Sequence, residues 1–317
     1  VVYERRVVVL LLRRVIVDNI ESIWAERRGS LSPRAGYAAD QEFTREQYAI
    51  THEADLGFAQ SYLSLANIET DNEGRTLPLT VAERQLLAQM YYATGEYAGM
   101  SEQARKDLAE QTFLPRPDRP LSSSQYTFDA RLDIPLQDLA GSHNLAVGAQ
   151  LIDGELNDGV FGMEQGDDGA GVVQEQEMYS LFVEDNWTPV EALTLTAGVR
   201  YDNHDLFGSQ ISPRAYAVYS ISDNWTVKGG VSTGYKTPDT TDLYDGITGF
   251  GGQGTIPFAG NPDLEPETSV NKEIALYWAG DAGHTFNITY FTNDFEDKIA
   301  RAETTQSCDE TGGVRPC

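Results

Sequence analysis

The chain has 317 residues, with 23 Lys+Arg against 49 Asp+Glu, for a formal net charge of −26. Binding to nucleic acid needs clustered cations that release counterions, so this balance argues against such a partner. It argues equally against electrostatic docking on an anionic membrane surface. The longest apolar run, residues 7–12, stops at Arg13 and Arg14, far short of the roughly 20 apolar residues a membrane helix needs. No signal peptide is recognisable, because the run is too short and Glu4 precedes it. A helical membrane protein is excluded; membrane strands, which alternate and leave hydropathy low, are not.

Residues 1–40 alternate poorly and read as one or two strands or as a divergent end. From there on, the composition predicts an all-β chain, with 29 Gly, 16 Tyr and repeated turn chemistry. Strands are predicted near 44–52, 58–69, 125–135, 143–152, 178–187, 192–202, 211–220, 225–236, 269–278 and 284–294. Alternation is clearest late in the chain. Leu193, Leu195, Ala197, Val199 and Tyr201 interleave with Thr194, Thr196, Gly198 and Arg200. Trp225, Val227 and Val231 interleave with Thr226, Lys228 and Ser232, and Phe286, Ile288 and Tyr290 with Thr285, Asn287 and Thr289. One face is therefore apolar and the other polar.

The connections alternate between short (53–57, 136–142, 188–191, 221–224, 279–283) and longer (70–124, 153–177, 203–210, 237–268). A sandwich has no reason to put every long loop at one end, whereas an outer-membrane barrel has short periplasmic turns and long outward loops. Trp187, Tyr201, Trp225, Tyr235, Tyr277, Trp278 and Tyr290 fall near strand ends, where interfacial girdles lie. Inside the longest loop, residues 79–90 and 101–111 read as short helices. Thr80, three residues before Glu83, resembles a capping box.

The chain resembles TonB-dependent outer-membrane receptors of the catecholate-siderophore type, which includes the enterobactin and colicin I receptors. The resemblance rests on YSLFVEDNW (179–187), LTAGVRYDNHDLFGSQISPR (195–214), NWTVKGGVSTGYKTPDTTDLY (224–244), GNPDLEPETSVNKEIALYW (260–278) and FTNDFEDKI (291–299). ETDNEGRTLPLT (69–80) and HNLAVGAQLIDGELNDGVF (143–161) extend it upstream, so that it covers about residues 40–305. In NPDLEPE, Pro262 and Pro266 keep the chain extended as it re-enters a strand at Thr268.

The resemblance implies a partial transmembrane β-barrel of about ten to twelve antiparallel strands, out of the 22 of plugged transporters. Residues 41–317 would be part of the barrel domain. The N-terminal plug with its TonB box, and the last strands, are not recognisable here. The implied ligand is a ferric siderophore, and the implied setting the bacterial outer membrane. Further implied partners are the TonB complex of the intact protein, outer-membrane lipid and lipopolysaccharide, and a colicin or phage. Without a plug, weak siderophore binding and no coupling to TonB are expected.

A ferric catecholate is a trianion carrying aromatic rings, so its site should offer Arg or Lys beside Tyr. Arg75, Arg84, Tyr91, Tyr92, Tyr235, Lys236 and Tyr244 are the candidates, with Arg75 and Lys236 foremost; Arg105, Lys106, Arg116 and Arg119 share the same loops. Each could equally be a surface charge paired with a loop carboxylate.

No nucleophile–base arrangement stands out, so enzymatic activity is not expected, and no resident cofactor or metal is implied. His52, His143, His204 and His284 read as turn or interfacial histidines. The acidic run Asp153, Glu155, Asp158, Glu164, Asp167 and Asp168 could hold calcium but lacks the EF-hand order. Cys308 and Cys317, nine apart, fit a small disulfide loop. The alternative functions are a porin, which would need a constriction loop folded inward, an adhesin-type barrel with apolar loop tips, and a soluble β-sandwich binding module.

Overall fold

The computed structural model describes residues 2–7, 13–16, 23–24, 26–27, 30–31, 36–38, 40–162, 171–251 and 256–303. In chain order the strands are β1 (Val2–Val7), β2 (Arg13–Ile16), β3 (Glu26–Arg27), β4 (Ser30–Leu31), β5 (Asp40–Asp55), β6 (Gln60–Glu73), β7 (Leu121–Leu136) and β8 (Ser142–Asp158). They continue as β9 (Val173–Val190), β10 (Leu193–His204), β11 (Gly208–Ser222), β12 (Trp225–Lys236), β13 (Ile247–Gly251), β14 (Ile256–Ala259), β15 (Glu267–Ala279) and β16 (Thr285–Glu296). Helices α1 (Val81–Tyr91) and α2 (Glu102–Phe113) lie between β6 and β7.

Twelve strands form one antiparallel sheet in which β5 to β12 follow chain order, with β15 and β16 next; β3–β4 and β13–β14 are separate hairpins. β1 and β2 both pair with β5, at its two halves. β16 lies at the opposite edge from β1 and β2, and the two edges are not paired with one another. The meander is therefore open among the described residues.

All ten strands predicted after residue 40 are present, and several run further toward the long-loop end. β9, expected at 178–187, occupies Val173–Val190. The added residues are polar on both faces (Gln174, Glu175, Gln176, Glu177), so they show no alternation, yet they still pair.

Turns 56–59, 137–141, 191–192, 223–224 and 280–284 gather at one end. The strand ends that lead into 17–39, 74–120, 159–172, 205–207 and 237–266 lie at the other. The parity expected from the sequence thus holds, although 205–207 is a tight turn. There the β10–β11 ladder continues to His204 opposite Gly208, whose φ of +67° suits a residue without Cβ.

Cross-strand partners in an antiparallel sheet share a face. One face therefore carries Ile50 opposite Leu65, Leu65 opposite Phe128, and Phe128 opposite Leu151. It continues through Leu181 opposite Tyr201 and Val183 opposite Val199 to Ile274 opposite Tyr290. Among the described residues nothing covers this face: Ile50 is 61% exposed, Leu181 54%, Ile211 59% and Ile274 57%. Trp225 lies opposite Trp278, with ring centroids 6.3 Å apart, at the short-turn end; Tyr179 and Tyr201, 6.1 Å apart, lie toward the long loops. Such a band, edged by aromatic rings, is the lipid-facing surface of a membrane barrel.

The buried apolar side chains are mostly in the loops. One cluster joins Ile23, Leu79, Leu87, Met90, Tyr97, Ala109 and Phe113; a second joins Leu77, Val160, Phe161 and Tyr244.

Above the outward band, the acid surplus becomes local. Glu46 faces Glu69, Asp153 faces Glu177, and Glu155 faces Glu175 across neighbouring strands. Directly opposed like charges destabilise a ladder. Replacing Glu69 by Gln should therefore raise stability by about 0.2–1 kcal/mol, read as a higher urea midpoint of the refolded chain. The gain should shrink at about 1 M salt, where the Debye length is about 3 Å. A lower midpoint at low salt would contradict this assignment.

Candidate functional site

The inward face is polar and internally paired. Arg200 donates from Nε to Asp202 Oδ1 at 2.8 Å, and from Nη2 to Ser180 Oγ at 2.8 Å and Gln150 Oε1 at 2.9 Å. Ser180 Oγ donates to Asp202 Oδ1 at 2.6 Å, and Gln150 Nε2 donates to Asp129 Oδ1 at 2.7 Å. Arg214 pairs with Glu184, and Lys228 sits 5.0 Å from the Tyr277 ring centroid. These groups form a ladder across β7 to β10, with Arg214, Lys228 and Tyr277 continuing it to β15. Arg200 and Arg214 are held by wall carboxylates, so this surface is polar without being a bare anion trap.

The long-loop end is built on two preformed helices. Thr80 Oγ1 accepts from Glu83 N at 3.2 Å, and Thr80 N donates to Glu83 Oε2 at 2.6 Å. This is the capping box expected from the sequence, and it starts α1. Ser101 caps α2 through Ala104 N at 3.3 Å. Arg105 ties the two helices by donating to the carbonyls of Met90 and Tyr91, with its guanidinium 5.8 Å from the Trp24 ring centroid.

The expected ligand residues divide sharply. Arg84 donates from Nε to Leu79 O at 2.9 Å, and burial pulls its pKa down to about 10. It is thus a loop-building residue. So is Arg116, which donates to Leu77 O, Pro78 O and, at 2.7 Å, Glu83 Oε1. Arg119 grips Asp158 with both prongs, at 2.7 and 2.6 Å. Tyr244 is buried, its ring 4.9 Å from that of Phe161. Tyr91 packs on Trp24 and Tyr92, at 5.1 Å from each. These residues hold the loops together.

Arg75, Lys236 and Tyr92 differ. Arg75 is half-buried, forms no ion pair with a described residue, and has its Nε buried without a hydrogen-bond partner. Lys236 and Tyr92 are exposed, and Tyr235 is half-buried at the end of β12. Among the described residues, Arg75 and Lys236, the foremost candidates, are left without an ion pair, as is Lys106 of α2.

Asp158 is used by Arg119, while Glu164, Asp167 and Asp168 lie outside the described residues, as do Cys308 and Cys317. Among the described residues no group of three or more acidic, histidine or cysteine side chains is arranged for a metal. His143 meets Asp185 at 2.7 Å and Leu139 O at 3.0 Å and stacks on Trp187, as an interfacial histidine.

The sequence did not single out the junction of three loops. Val160 and Phe161, from 159–172, pack with Leu77 of 74–120 and Tyr244 of 237–266. Asp158 also accepts from Val160 N at 3.1 Å, so the Arg119 pair supports the same point. Gly159 permits the approach, because a Cβ there would stand 2.7 Å from Pro120 Cδ. A glycine followed by two apolar residues inside an acidic loop was the available signal. From this junction the strap 237–246 crosses to β9, where Thr240 Oγ1 donates to Gln176 Oε1 at 3.0 Å.

The open antiparallel meander, the lipid-facing band and the loops converging at one end define an outer-membrane β-barrel segment. The family "TonB dependent receptor-like, beta-barrel" matches residues 17–314, and the chain belongs to it. The chain is 45% identical over 120 residues to the iron-regulated outer membrane virulence protein of Vibrio cholerae, covering 38% of this chain and 18% of that protein. It is 30% identical over 190 residues to the ferric enterobactin receptor of Pseudomonas aeruginosa, covering 55% of this chain and 25% of the relative. The crystal structure of the siderophore receptor PirA from Pseudomonas aeruginosa aligns with a TM-score of 0.60 at 25% identity, covering 82% of this chain and 40% of that one. The chain thus spans a minor part of the relatives it matches. The short turns are periplasmic and the long loops extracellular.

Removing the Phe161 ring should open the three-loop junction, since deleting a buried Phe costs about 3–5 kcal/mol where the site cannot collapse. The Phe161→Ala chain, refolded in detergent, should lose its loops to trypsin at least tenfold faster while keeping its strand content. Unchanged loop cleavage would show that the junction does not hold the loops.

Proposed function

We propose that the protein serves ferric siderophore uptake across the bacterial outer membrane, with a catecholate complex as ligand and the TonB complex as energy source. The observation that carries this reading is the assembly of extracellular loops over a polar inner wall, in a chain of this receptor family. The names of the related ferric enterobactin and PirA siderophore receptors support the ligand class. Arg75 and Lys236, left without ion pairs, supply positive charge for a trianion, and Tyr92 and Tyr235 supply aromatic faces. The overall acidity does not oppose capture, because local field rather than net charge governs the last approach. In this reading the protein binds and passes its ligand and catalyses no reaction.

Lipopolysaccharide and lipid would contact the outward band, and a colicin or phage would use the same extracellular loops. Coupling to TonB in the intact protein would act from the periplasmic side. This chain should bind weakly, because it spans a minor part of its relatives.

Titration of the refolded chain with ferric enterobactin, followed by tryptophan fluorescence, tests the proposal. Saturable binding in the micromolar range, about −7 kcal/mol, is expected, and the double substitution Arg75→Ala, Lys236→Ala should weaken it at least fivefold. No saturation by the wild-type chain up to about 1 mM, the level of about −4 kcal/mol, would overturn the ligand assignment.

A further inference from the structure

Beneath the strap lies a cavity of about 400 Å³, within the range of ligand sites. Gln125 of β7 and Gln174 and Gln176 of β9 line its wall, and Thr237, Asp239 and Thr240 of the strap line the other side. Its chemistry is unlike that of the cationic candidates above. No Lys or Arg lines it, and the strap brings the acid Asp239 to it; Glu155, also at its edge, is paired with Glu175 on the outward face. An iron–catecholate trianion would be repelled there. The three carboxamides and the strap hydroxyls instead offer donors and acceptors together, the complement of a neutral group bearing both.

The cavity is a built feature of the fold. Gly154 of β8 lines it, and a Cβ at that position would stand 3.1 Å from Gln176 Nε2, so a larger residue would displace the Gln176 amide. Gln176 is in turn held by Thr240, which fixes the strap over the wall at this point. The strap is fixed a second time, by Tyr244 on Phe161. Two anchors on opposite sides of residues 241–243 give the cavity a defined roof.

We infer that this cavity is a subsite for the uncharged, hydrogen-bonding part of the transported ligand, its linking scaffold or a hydroxyl-bearing substituent, and not for the iron centre. The inference rests on the siderophore reading and divides recognition in two. Charge is met by Arg75 and Lys236, and scaffold identity is read by Gln174 and Gln176 under a threonine-lined strap. Selection by scaffold has a sharp physical basis. A ligand without matching groups leaves the amides unpaired on entry, and unpaired buried polar groups discriminate more strongly than lost apolar contact.

Two probes separate the parts: ferric enterobactin, which carries a triester scaffold with amide links, and ferric tris(catecholate), which presents the same kind of iron centre with no scaffold. Each is titrated into the refolded wild-type chain and into the variant Gln174→Leu, Gln176→Leu. The variant should bind ferric enterobactin about tenfold more weakly and ferric tris(catecholate) as the wild type does. Equal losses for both probes, or no loss for either, would overturn the inference while leaving the siderophore reading in place. Failure of the wild type to bind either probe would overturn both. If the leucine pair does not refold, Thr240→Val and Gly154→Val make the same selective prediction, the first by freeing the strap and the second by displacing Gln176.

Discussion

In hydrocarbon, a backbone N–H or C=O without a partner costs several kcal/mol, so a membrane-crossing chain must satisfy every one internally. Strands can do this only by pairing sideways, and that requirement sets the rest of this structure. Each strand from β5 to β12 lies beside its sequence neighbours, because a short reversal is the simplest way to keep the ladder unbroken. Strands of 12 to 18 residues follow, longer than the 9–11 that cross the hydrocarbon at a tilt. The surplus rises past the lipid at the long-loop end, where the opposed acidic pairs stand.

The same constraint decides where a hydrophobic core can be. The sheet's apolar face is spent on lipid and its other face on a polar lumen, so it has no dry interior of its own. The buried apolar side chains lie mostly in the extracellular loops, where Leu87, Met90 and Phe113 bind two capped helices and Phe161 joins three connections. Loops of this length would ordinarily be mobile. Here they carry their own cores and a bidentate Arg119–Asp158 pair, which makes a preorganised surface at the mouth of the barrel. Preorganisation lowers the ordering cost of binding and gives the strap above the Gln174–Gln176 wall a fixed position.

Much of the fold was legible in the sequence because its two faces differ. From 193 to 204 and from 225 to 236, lipid-facing and lumen-facing residues alternate one by one, and the strands appear where expected. At 173–177 both faces are polar, so the strand extension was invisible. The helices were legible from a local cap, Thr80 with Glu83. The site was less so. Arg116 and Arg119 read from residue type alone as cations for an anion, because their partners are distant in sequence: Glu83 is 33 residues from Arg116, and Asp158 is 39 from Arg119. A charge commits to a loop through tertiary contact, which residue type alone does not announce. Gln176 and Thr240, 64 apart, escaped notice for the same reason, being ordinary polar residues until the strap brings them together.

The assignment of one face to lipid and the other to the lumen supports everything above it, and it can be tested along a single strand. Nitroxide labels placed one at a time at Leu195, Thr196, Ala197, Val199, Arg200 and Tyr201, in a Cys308→Ser, Cys317→Ser background reconstituted in lipid, would report collision with oxygen and with a water-soluble nickel complex. Labels at 195, 197, 199 and 201 should favour oxygen and those at 196 and 200 the nickel complex, with a period of two residues. A profile without that period, or nickel access at Val199 equal to that at Arg200, would contradict the account.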